Sequence, residues 1–418
     1  MDPIEVSRLI NDYNMETVLL IKSLFHYLQE NKELLSPDVF FHLDLLLKQI
    51  ITIDPQLHYL PKKITVFLRT LIYQLNLNTS HEKLVSNLNH VFLLMLDSYF
   101  EYLEPFKAKL SSLPFKSVFM PRLACSINLV DTDLVIEKSV DHFFLINGKT
   151  VSSFDKKQDL LDNMNVIFTS QENYMSLFCN IDLNYLSLLS PDSLDPCEYR
   201  KLQRALIAIA IADPNLYNNM KNLVEFFIVL KKVTHHSTSF TLKPYAGLVF
   251  LSCNTDEFAI AENIIREFYN SVMNISLKLE YSAMDNRPQY FTPYAESPST
   301  PTNLLRNILI FVEVCQFFTH CLKHNNFKDK FSLLGYRLTV QLYRMKLALE
   351  QTAKIQWSSY GNELLNRLRI CYEHLRIINQ QYLLPRPIVI EQHINRWRKN
   401  YTNSEVPNLT SSLIEING

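Results

Sequence analysis

Few residues of this 418-residue chain have the types and spacing that chemistry requires. Cys315, His320, Cys321 and His324 form the one cluster that brings thiols and imidazoles close together. Cys321 and His324 would share a helical face, but Cys315 lies six residues before Cys321 on a different side. Zinc needs a second pair at ligand spacing, and none is nearby. The cluster reads as buried thiols beside a part-exposed histidine. Asp131-Thr132-Asp133 has the look of an acidic metal triplet, yet it sits where a turn between strands belongs, and turns favour Asp. His235-His236 lacks a third partner. Seven cysteines and twelve histidines supply the types for a nucleophile–base pair, but no spacing singles one out. No catalytic residue, cofactor or metal ligand is assigned.

Charge is more informative. Residues 321–400 hold 14 Lys/Arg against 5 Asp/Glu, a balance of +9, so the rest of a chain of net charge −1 carries −10. Such asymmetry speaks to partners rather than to fold. Arg367, Arg369 and Arg376 flank the apolar stripe of one helix, while Arg396, Trp397, Arg398, Lys399 and Tyr401 interleave cation with aromatic. Mixtures of this kind grip phosphate backbones while rings stack or anchor. The competing explanation is a solvated helix face whose arginines pair with the acidic remainder of the fold. Upstream, Thr292-Pro293, Ser297-Pro298 and Thr300-Pro301 crowd one segment. Ordinary loop composition accounts for them. Alternatively, Thr292, Ser297 and Thr300 are regulatory phosphorylation sites, a phosphate there adding negative charge just ahead of the basic region.

The elements that must position these residues are helices. Leu364, Leu368, Cys371, Leu375 and Ile378 recur at spacings of four, three, four and three, which puts them on one helical stripe. The segments Thr302–Lys323 and Asp329–Lys354 have the same habit, and each must bury its apolar side against a neighbour. Further helices are expected over Ile4–Glu30, from Ser36-Pro37 to Ile51, from Pro61, from Ser80 to Pro105, and over Pro196–Ala212, Asn215–Lys232 and Thr255–Leu279. Pro196–Ala212 is apolar all round, which predicts deep burial. Between them, Ser126–Val130, Leu134–Glu137, His142–Ile146 and Lys149–Ser153 are short and rich in β-branched or aromatic residues, with a hairpin signal at Asn147-Gly148.

The fold class expected is therefore mostly α, an irregular multi-helix array with a small antiparallel β insertion near 115–154. The organisation reads as an N-terminal helical region (1–113), the insertion (114–154), a central helical region (155–281), a Pro-rich loop or linker (282–302), a basic helical region (303–400) and a tail (401–418). No repeat of fixed period is found.

Glycine narrows the function. The chain has 5, where average usage of about 7% would give roughly 29. Gly148, Gly247, Gly335 and Gly361 are far apart, so a P-loop, a dinucleotide-binding turn and a nucleophile elbow are all missing. An acidic start and an apolar run of only eight residues, Ala205–Ala212, argue against a signal peptide and a membrane span. The cysteines form no Cys-x-x-Cys pair, and a soluble, reduced, cytoplasmic or nuclear protein is expected. The function expected is a non-catalytic scaffold or adaptor subunit that binds other protein subunits. The alternative is a nucleic-acid-binding protein using residues 321–400.

Overall fold

The computed structural model describes residues 3–30, 44–45, 47–49, 88, 95, 105–110, 117–120, 125–128, 134–138, 143–147, 150–154, 165–167, 196–224, 226–230, 239–241, 247–276, 279, 282–293, 298–385 and 387–400. The chain is mostly α with small sheets inserted, as the patterning predicts. It forms two compact units, one of residues 1–6, 204–219 and 256–418, the other of residues 7–203 and 220–255.

In the second unit, helix α1 (Pro3–Glu30, shared with the first unit by its opening residues) buries Ile10, Tyr13, Val18, Ile21 and Leu24, at steps of three, five, three and three. The helices expected from Ser36-Pro37 and from Ser80 are described only at a few positions, all helical, and the one from Pro61 lies outside the described residues. Strands β1 (Phe106–Leu110), β4 (Leu134–Lys138), β5 (Phe143–Asn147) and β6 (Thr150–Phe154) form an antiparallel sheet in the order β1-β4-β5-β6, and β2 (Ser117–Met120) pairs with β3 (Cys125–Asn128). The insertion thus begins at Phe106. The expected hairpin is there: β5 and β6 close with Asn147 opposite Thr150, leaving 148–149 as a two-residue connection.

A second sheet was not expected from the patterning. It runs β7 (Asn165–Ile167), β8 (Phe226–Val229), β10 (Leu248–Leu251), β9 (Ser239–Phe240), with β8 parallel to both β7 and β10. The helix expected over Asn215–Lys232 is in fact α3 (Pro214–Leu223) followed by β8. Phe226-Phe227-Ile228-Val229 is aromatic and β-branched, and a continuous apolar run suits a strand covered on both faces. Helix α2 (Pro196–Ala212) has the expected bounds but not the expected burial. Leu202, Ala205, Leu206 and Ile209 face inward, whereas Ile207 is exposed.

The first unit is built on α5 (Pro301–Lys323), buried along nearly its whole length. It is long and apolar enough to span a membrane, but 78% of its apolar window is buried inside the fold, as in a core helix. Helix α4 (Glu257–Ile275) and helix α6 (Phe331–Thr352) pack on α5, α7 (Ser359–Ile378) packs on α5 and α6, and α8 (Ile388–Asn400) packs on α6. The caps are local. Asp256 accepts from the N–H groups of Phe258 and Ala259 at 3.0 Å each, and Thr300 precedes Pro301 at the first position of α5.

The Pro-rich segment is not a linker between units. Residues 282–293 and 298–300 lie within the first unit, with Ser282, Phe291, Thr292 and Ser299 buried and bridges joining Ala283 to Trp357 and Tyr290 to Ser299. Proline excludes helix there, but the aromatic and small polar residues still find partners.

Candidate functional site

Helix α7 starts at Ser358, whose hydroxyl accepts from Gly361 N–H at 3.1 Å. Both the N–H and the hydroxyl of Ser358 donate to the Ser282 carbonyl, at 2.9 and 3.0 Å. A Cβ on Gly361 would collide with that carbonyl, so glycine here allows close backbone approach. The buried seam is Gly361, Leu365, Leu368, Tyr372 and Leu375. It is rotated from the expected stripe: Leu368 and Leu375 are shared, while Leu364, Cys371 and Ile378 are only half-buried at its edge. The expected stripe counted only aliphatic residues and cysteine, and so missed the glycine and the tyrosine. Just beyond, the fully buried Asn379 donates to Thr319 Oγ1 and to the Leu375 carbonyl, each at 2.8 Å, which locks the end of α7 to α5.

With the seam turned inward, Arg367 and Arg369 are exposed and Arg376 is half-buried. Arg367 pairs with Glu363 one turn back, and Arg376 Nε donates to Glu373 at 2.9 Å. Two of the three arginines are therefore already balanced within their own helix, pairings worth a few tenths of a kcal/mol each (~0.2–0.5). Arg369 has no carboxylate partner among the described residues.

Helix α8 is anchored by Ile390, Ile394 and Trp397, spaced four and three. Trp397 is 2% exposed and stands edge-on to Phe291, ring centroids 4.9 Å apart at 87°. His393 meets the Thr292 carbonyl at 3.0 Å. Trp397 is thus not a surface aromatic between cations. Its ring belongs to the core, because the spacing that carries Ile390 and Ile394 inward carries position 397 with them. Arg396, Arg398 and Lys399 project outward in the last turns, where cations also complement the helix dipole. Tyr401 lies outside the described residues. The basic residues of α7 and α8 ride on separate helices, each held from within.

The phosphorylation candidates divide. Thr292 has no exposed surface, and its hydroxyl accepts from Asn307 Nδ2 at 3.4 Å. A kinase has no access to it in this fold. Thr300 is half-buried and its hydroxyl accepts from Asn303 N–H at 3.2 Å as the cap of α5. Ser297 lies outside the described residues, as do Asp131-Thr132-Asp133 and His235-His236.

The cysteine–histidine cluster is divided by burial, its thiols inside and His320 exposed. Cys315 and Cys321 are fully buried, and burial pushes both thiols up, away from the reactive thiolate. Cys253 behaves alike, pushed up to about 12 mainly by burial. His324 Nδ1 accepts from Asn326 N–H at 3.3 Å. His320 Nδ1 lies 3.5 Å from Asp213 Oδ2. Burial alone would raise the Asp213 carboxyl, but the hydrogen bond from His320 and the N–H groups of Leu216 and Asn215 outweigh it and hold it below its usual range. Among the described residues no group of three or more His, Cys, Asp or Glu is arranged to hold a metal ion.

One constellation went unseen in the sequence. On α4, Glu262 accepts from Gln341 Nε2 at 2.7 Å and lies 3.4 Å from Arg337 and 3.7 Å from Arg344, while Arg337 also pairs with Asp256. Asp256 thus caps α4 with one oxygen and binds Arg337 with the other. Glu262 is 10% exposed at the side chain and both arginines 18%. Their partners stand 75 to 82 residues away along the chain, so no local spacing could have found them. Opposite charges this well paired tie α4 to α6.

A comparison with protein-family models found no match, and none was found among curated protein sequences.

Proposed function

We propose that this chain is a non-catalytic helical scaffold or adaptor subunit of an intracellular complex, and that its basic C-terminal helices meet an acidic surface on a protein partner. The observation that supports this most is the disposition of Arg369, Arg396, Arg398 and Lys399: they project from helices whose opposite sides are pinned to the core. Side chains on rigid elements bind at a smaller entropic cost than side chains on loops. Arg367 and Arg376 contribute less, being matched by Glu363 and Glu373. Nucleic acid is the weaker reading, since Trp397, the ring expected to stack on bases, is in the core.

Charge reversal tests the proposal. Arg396→Glu with Arg398→Glu and Lys399→Glu is expected to abolish recovery of partner subunits in affinity purification of the full chain, with Arg367→Glu nearly neutral. Recovery unchanged by the triple reversal would overturn it. Fluorescence anisotropy with single- and double-stranded oligonucleotides is expected to stay flat at low salt. Binding whose affinity falls steeply with salt would favour nucleic acid as the partner instead.

A further inference from the structure

We draw no further inference here: the strongest candidate, the exposed apolar ridge of Ile370 and Ile377 on the outward face of α7, carries nothing because nothing in the structure shows what covers it.

Discussion

Arg337 and Arg367 stand on consecutive helices of the same unit, and their surroundings divide the basic region in two. Arg337, on α6, is mostly covered and joins Asp256 and Glu262 of α4. Arg367, on α7, is largely exposed and meets only Glu363 one turn away. The cationic surplus between residues 321 and 400 is therefore not a single surface. Part of it, Arg337 and Arg344, answers acidic residues of α4 contributed from outside that span. The rest, on α7 and at the end of α8, lies on the outer sides of its helices. A charge count along a chain adds these together although they do different work: the first group positions helices, and the second shapes the surface.

The contrast can be broken from either side, and the largest loss should come from the ring that looked like a surface residue. Trp397→Ala removes a buried side chain packed on Phe291 and should cost about 3–5 kcal/mol. Chemical denaturation followed by the remaining Trp357 fluorescence would register it, since both tryptophans lie in the same unit. A loss below about 1 kcal/mol, the size of a typical surface effect, would return Trp397 to the surface. Glu262→Ala strands Arg337 and Arg344 with reduced compensation and should cost roughly 3 kcal/mol, nearer the lower bound for buried pairs because the arginines keep some solvent. A neutral result would show that the α4–α6 network is not structural.

Asp213→Asn is a smaller test. The residue accepts from Leu216 N–H at 2.9 Å at the start of α3 and is paired with His320. Asn keeps a capping acceptor, so what is lost is the charge beside the helix start and His320, which should cost about 0.3–1 kcal/mol at neutral pH. The folded carboxyl sits below its unfolded value of about 3.9, so its contribution is present above that pH and disappears as pH falls through the folded value. The gap between wild type and Asp213→Asn should accordingly close below about pH 4; a gap that persists in acid would sink the assignment. The smallest effect belongs to Arg367→Ala, which loses one exposed intrahelical pair and should stay within about 0.5 kcal/mol. A larger loss would mean that α7 leans on its surface charges after all.

How legible each part was follows from how local its cause is. Helices α4 and α5 were legible to within a few residues, and α7 from Leu364 to Ile378, because apolar periodicity is set within each helix. The β5–β6 hairpin was legible because the strands it joins are neighbours in sequence. The second sheet was not: β8 takes its partners from β7 and β10, which flank it at a distance along the chain, and nothing near Phe226 announces them. Of the candidate site, the exposure of Arg367, Arg369, Arg396, Arg398 and Lys399 could be guessed from charge alone. The inward turn of Trp397, the burial of Thr292 and the neutralisation of Arg337 could not.

The amino-acid order by itself determined that this is a helical protein with a small sheet insertion, since apolar periodicity, caps and proline placement act over a few residues and need no distant partner. Only the tertiary structure decided which face of each helix is inside, for burial depends on what arrives from elsewhere. Tyr372 rather than Cys371 lines the seam of α7, and Trp397 packs on Phe291 from the Pro-rich segment, because packing energy comes from contact and contact is set by the whole fold.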